Sequence, residues 1–293
     1  MDYGDYKKRR KNAANVLASI KEANEEKKTD FTDSRFYQYV KDKTGNAFSV
    51  IRFLPSKNET LPPVVSRYSH GFKQNGGWYI EQCPTTIKQK CPVCESNSDL
   101  WNTNTKENQD IVRGRSRRKE FFANVYIVKD AQHPEKEGKV FIWKFGQKVY
   151  TKIMEKLQPQ FEDEKPIDIF DLEEGANFKL KIKTVAGFSN YDGSEFMEKA
   201  PLFTDEKQMS EIFNQIYDLK EFIDEKNFKP YEKLKERFEK ISSSKGKSKP
   251  SEESTNEEPK NTPATNITED VDVDDGDEDD GDEDYFKDLT KKF

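Results

Sequence analysis

All three cysteines and one of the two histidines of this 293-residue chain fall in one short stretch, as His70, Cys83, Cys91 and Cys94 in the spacing H-x12-C-x7-C-x2-C. Thiolate and imidazole are the ligands zinc prefers, and four of them close a tetrahedral structural site with no open position for catalysis. Gly71, Gly76 and Gly77 lie between the first two ligands, and Pro84 and Pro92 directly follow two of the cysteines. An odd, clustered set of thiols is a poor disulfide framework, so one structural zinc ion is the expected cofactor. The fourth ligand stays open between His70, favoured by proximity, and His133. Cys91-Pro92-Val93-Cys94 could also act as a redox pair, but no strand–helix context of the thioredoxin kind surrounds it.

A second constellation follows. Arg113, Arg115, Arg117, Arg118 and Lys119 run directly into Phe121 and Phe122. So many cations make a local phosphate-attracting field, and each phosphate contact releases counterions. Alone, this loop reads equally well as a solvated surface or a localisation signal. The aromatic residues tip the balance. Trp101, Phe121, Phe122, Tyr126, Phe141, Trp143, Phe145, Phe188 and Tyr191 stand among basic positions that include Lys139, Lys144 and Lys148. On an alternating strand half of such rings point into the core. If Phe141 and Phe145 face inward, Trp143 and Lys139 need not be core. An exposed ring beside a cation suits stacking on an unpaired base, worth about 1–3 kcal/mol per base and tolerant of base identity. No catalytic set competes: there is no phosphate loop ending in Lys-Ser or Lys-Thr and no G-x-S-x-G elbow, so a non-enzymatic binding protein is expected.

The elements that must position these residues are unevenly distributed. Leu, Ile, Val and Phe make up about a fifth of the chain, but only six of them lie in residues 242–293. Residues 1–241 can therefore bury a core and the rest cannot. The formal net charge of −6 hides a similar split: residues 250–293 carry 17 acidic and 4 basic side chains, against 39 and 46 in residues 1–249. This is a basic body with an acidic tail. No apolar run approaches the roughly 20 residues that span a bilayer, and the start does not read as a signal peptide, so no membrane partner is expected.

Three regions result. Residues 1–29 form a basic arm, with Lys7, Lys8, Arg9, Arg10 and Lys11 ahead of one short apolar stripe. Residues 30–241 form the core. Period-two patterning predicts strands at 48–53, 120–129, 139–145 and 177–186, and helical periodicity returns over 205–241. Short strands at irregular spacing between polar loops suit an α+β, mainly β fold: a small antiparallel barrel with a zinc-binding subdomain at about residues 62–130 and helices at its C-terminal side. Residues 242–293 are a Ser/Lys-rich linker and a tail expected to be disordered. Its 269–284 stretch holds 12 acidic residues, and Tyr285, Phe286, Leu289 and Phe293 then break the acidity as a candidate docking segment.

In order along the chain, His70 and the three cysteines, Asp99-Leu100-Trp101-Asn102-Thr103, the basic loop, Ala123-Asn124, Val128-Lys129-Asp130, Glu137-Gly138-Lys139-Val140-Phe141, Phe145-Gly146, Glu174-Gly175-Ala176-Asn177-Phe178 and Gly187-Phe188-Ser189-Asn190-Tyr191-Asp192 form a recognisable series. Over roughly residues 34–201 the chain resembles the single-stranded DNA-binding, helix-destabilising proteins of T-even-like bacteriophages. The resemblance implies an oligonucleotide-binding (OB-fold-like) barrel with a zinc subdomain and a basic cleft for the strand. It implies stacking or cleft-lining roles for Trp101, Phe122, Trp143, Phe188 and Tyr191, and phosphate contacts from Arg113 to Lys119. It further implies cooperative filaments joined through Lys7–Lys11, and work in phage replication, recombination and repair in the cytoplasm of the infected host. The acidic tail would then recruit replication and recombination proteins. The other reading is a zinc-containing accessory factor that binds duplex nucleic acid or protein and uses the aromatics as core.

Overall fold

The computed structural model describes residues 33–161 and 163–243. The basic arm at Lys7–Lys11 and the acidic tail lie outside the described residues. Among these residues eight strands form one antiparallel sheet: β1 (Ala47–Phe53), β2 (Val64–Gln74), β3 (Gly77–Gln82), β4 (Arg118–Asp130), β5 (Val140–Phe145), β6 (Ala176–Val185), β7 (Phe188–Asn190) and β8 (Glu195–Lys199). The hydrogen-bonded path is β3-β2-β4-β1-β6-β7, with β5 on β4 and β8 on β6. The 13-residue β4 is long enough to serve three partners, pairing with β2 through Arg118–Ala123, with β5 through Phe121–Tyr126 and with β1 through Val125–Asp130.

One core lies inside the curl of this sheet. Phe53, fully buried on the central β1, meets Trp143 and Phe145 of β5 at 6.0 and 5.9 Å, and Phe178 of β6 and Phe196 of β8 at 5.9 and 6.0 Å. Rings from strands on both sides of β1 thus converge on one side chain. The expected closed barrel is nonetheless not formed: among the described residues no ladder joins β5 to β8 or β3 to β7. Where the strands stop, Val149 and Ile153 of a helix (α3, Gln147–Leu157) and Ile169 and Phe170 of the following loop fill the interior instead.

A second, smaller core holds the metal-ligand candidates. Phe72, Tyr79, Val93 and the three cysteines pack together, bounded by the β2–β3 hairpin and by α1 (Pro92–Asn102), which α2 (Lys106–Arg113) follows. The lid is the last helix among the described residues, α5 (Tyr231–Ser243), whose Phe238 meets Tyr79 at 6.0 Å and Phe72 at 6.4 Å. Buried Glu81 of β3 accepts from Lys229 at 2.6 Å and from Arg237, so ionic contacts reinforce the apolar ones. Helix α4 (Glu206–Gln215) covers the outer side of the main sheet, with Ile212 and Ile216 against Leu54 and Val140. The helical periodicity over 205–241 therefore resolves into two amphipathic helices with separate targets. Among the described residues no helix is long and apolar enough to cross a membrane.

Candidate metal centre and nucleic-acid interface

The hairpin register and one helix start build the metal-ligand cluster. His70 of β2 pairs with Glu81 of β3, and Cys83 extends the ladder by donating its backbone N–H to the Tyr68 carbonyl at 2.8 Å. Cys91 is the N-cap of α1 and Cys94 lies in its first turn, where unpaired backbone N–H groups favour thiolates. The four side chains are buried and their ligand atoms all lie within 4.8 Å of one another. Cys83 Sγ is 3.5 Å from Cys94 Sγ, and His70 Nε2 is 3.4 Å from both Cys91 Sγ and Cys94 Sγ. The Arg115 carbonyl, which can only accept, takes the His70 Nδ1 hydrogen at 3.1 Å and so leaves Nε2 to face the sulfurs. Burial works against charge on His70, but hydrogen bonds to Cys83 and Cys94 outweigh it and raise its pKa to about 9. The neighbouring Cys91 and Cys94 hold the Cys83 thiol well below its usual range. Four buried, mutually oriented soft ligands of this kind can hold one metal ion. The competing histidine is elsewhere, with His133 half-exposed beside Glu135 at 2.6 Å.

The basic loop does not act as one patch. Arg115 is buried, with its guanidinium 5.4 Å from the Phe238 ring, so it is withdrawn from the expected phosphate contacts. Arg113 binds Asp110 at 2.7 Å and stands 5.8 Å above Trp101, joining α2 to α1. Arg118 and Lys119 are exposed at the start of β4. Arg117 lies 3.9 Å over the Tyr68 ring and donates to Thr85 Oγ1 at 2.6 Å. Lys119 reaches the same Tyr68 ring at 5.9 Å, Phe121 at 5.1 Å and Tyr150 at 5.8 Å. Tyr150 in turn stacks on Phe121 at 4.1 Å. Cations and the half-buried rings of Tyr68 and Tyr150 therefore converge, above the buried Phe121, where β2, β4 and α3 meet.

Two expected stacking rings are corrected to core residues. Trp143 is only 2% exposed, packed on Phe53 and Phe145. Strict period two puts residues 141, 143 and 145 on one side of β5, so Trp143 follows its neighbours inward. Phe122 is equally buried, stacked on Phe222 at 4.3 Å beneath the Arg67 guanidinium at 4.8 Å, because the 219–222 turn covers that face of β4. Of the remaining positions, Lys139 is exposed just before β5, Lys148 is half-buried on α3, and Lys144 is exposed but paired with Glu120 at 3.3 Å. Phe188, 38% exposed, follows a tight turn in which Ala186 and Gly187 have φ of 51° and 89°. Tyr191 shares a 3.0 Å hydroxyl hydrogen bond with Tyr39. Tyr68, Tyr150 and Tyr39 escaped sequence reasoning. Tyr68 had a usable signal, since it sits two residues before His70 on the same strand face.

A family model described as gp32 DNA binding protein like matches residues 43–242. The chain is 40% identical over 240 residues to the single-stranded DNA-binding protein of Enterobacteria phage T4, covering 80% of this chain and 78% of that one. It is 44% identical over 207 residues to the single-stranded DNA-binding protein of Enterobacteria phage T2, covering 68% and 67%.

Proposed function

The chain belongs to the gp32-like family of DNA-binding proteins, and from that premise we propose that it is a non-enzymatic, sequence-tolerant single-stranded DNA-binding protein of phage replication, recombination and repair. The observation that carries this reading is the convergence of Arg117 and Lys119 on the half-buried rings of Tyr68 and Tyr150. Rings offer faces to any unpaired base, cations hold the phosphates between them, and paired bases keep those faces hidden. Binding the unpaired strand alone pulls duplex melting forward by mass action, without a nucleotide cofactor. The curled sheet around Phe53 serves as the OB-like body of the cleft, with Phe188 and Tyr191 lining its far part.

Zinc is the metal that suits three thiolates and an imidazole. A Zn–S distance of about 2.3 Å gives a tetrahedral edge of about 3.8 Å, close to the 3.5 Å between Cys83 and Cys94. When bound, the ion supplies cohesion to the hairpin and α1, while Arg115 orients His70. The residues Lys7–Lys11 join neighbouring molecules along the strand in the cytoplasm of the infected host. The acidic tail competes with DNA for the basic surface and, once displaced, recruits replication and recombination proteins. Replacing Tyr68 or Tyr150 by Ala tests the stacking surface. Each change is expected to weaken single-strand binding by about 1–3 kcal/mol with the fold retained by circular dichroism. Wild-type affinity in both variants would count against it.

A further inference from the structure

Trp78 and Ile80 are the most conspicuous unexplained side chains on the metal-ligand hairpin. They are 58% and 63% exposed, two residues apart on β3, and so share one face of the sheet. That face is opposite to the one carrying Tyr79 and Glu81, which α5 covers. Lys73 lies directly across from Trp78 in the β2–β3 register and is exposed as well. Large exposed apolar side chains sharing an open sheet face and rimmed by polar residues are a candidate interaction surface.

The described chain runs out beside this hairpin. Asn75, in its turn, donates through Nδ2 to the carbonyls of Ile241 and Ser242 at 3.0 and 2.9 Å. The Ile241 side chain lies 3.5 Å from the position a Cβ on Gly77 would take, one residue before Trp78. Past Ser243, 41 residues lead to Tyr285, Phe286, Leu289 and Phe293, an apolar cluster preceded by Asp282, Glu283 and Asp284. Even at random-coil dimensions a span of 41 residues reaches about 35 Å root-mean-square, far more than is needed to round the hairpin tip. Tethering at such range gives an effective concentration on the order of millimolar, so modest contacts suffice.

We infer that residues 285–293 dock on the Trp78–Ile80 face of their own chain. Phe286, Leu289 and Phe293 cover the two apolar side chains, and the acidic residues just before them lie against Lys73. This inference is independent of the DNA-binding reading, since it concerns the protein without nucleic acid. The test is acrylamide quenching of tryptophan fluorescence in the full chain, in a chain shortened to residues 1–284, and in Phe286→Asp/Leu289→Asp/Phe293→Asp, each with and without Trp78→Phe. Shortening or triple substitution is expected to raise the quenching constant and shift emission to the red, and neither effect should survive in the Trp78→Phe background. The protection should not change on dilution. Equal quenching in all chains that retain Trp78 would overturn the inference. Protection lost on dilution would also overturn it, by placing the contact between molecules.

Discussion

Neutralising the two exposed cations at the start of β4 isolates the electrostatic part of the proposed interface. Arg118 and Lys119 are the first two residues of β4, both exposed, and Lys119 lies within 6 Å of three rings. Each phosphate contact on a single strand contributes about 0.7 to the slope of log affinity against log salt. Removing two contacts in Arg118→Gln/Lys119→Gln should therefore flatten the slope by about 1.4 and, at physiological salt, weaken binding by about tenfold. Lys144 is the internal control. It is exposed on the neighbouring β5, but Glu120 at 3.3 Å already offsets its charge, so Lys144→Gln should alter the slope far less. The assay is fluorescence anisotropy of a labelled oligothymidylate across a salt series. An unchanged slope in the double variant, or an equal change in Lys144→Gln, would refute the placement of phosphates along this edge.

Other outcomes follow from the same structure. Cys91→Ser should remove one equivalent of bound zinc and expose the second core to protease, because structural zinc can contribute about 10–16 kcal/mol of apparent binding energy in small domains. A metal-free chain with unchanged melting temperature would contradict this. Trp143→Phe should lower the melting temperature while leaving single-strand affinity within about twofold, since the ring packs on Phe53; a selective loss of affinity would return Trp143 to the interface. Removing residues 250–293 should tighten DNA binding most at low salt, where a charged tail competes best. Equal affinity and salt slope in the shortened chain, measured by the same anisotropy titration, would reject the competition.

The legible parts of the sequence were those with a clean period or an unusual residue type. The strands expected at 48–53, 120–129, 139–145 and 177–186 match β1, β4, β5 and β6 within a few residues; the alternation is clean in β6, whereas β4 buries five successive positions, Phe121–Val125. The metal-ligand cluster was legible for a chemical reason, since every cysteine in the chain falls in one short stretch and His70 is the nearer histidine. The β2–β3 hairpin was harder to read, since Ser66, Arg67, Ser69 and His70 dilute its apolar pattern and its burial comes from α5, more than 150 residues later. Helix α3 carried a signal that was passed over, with Val149, Ile153 and Leu157 at intervals of four. Trp143 shows the cost of relaxing the period-two rule for one attractive residue. Phe122 shows a different limit, because adjacent residues on a strand can both be buried when a distant turn covers the outer face.

The most direct test of the central claim is equilibrium binding of the full chain to one labelled strand and to its duplex, at two salt concentrations. The account predicts tight binding to the single strand, weakened by salt, and much weaker binding to the duplex under both conditions. Comparable affinity for the two forms would contradict it and would recast Tyr68 and Tyr150 as packing beneath an ordinary basic surface.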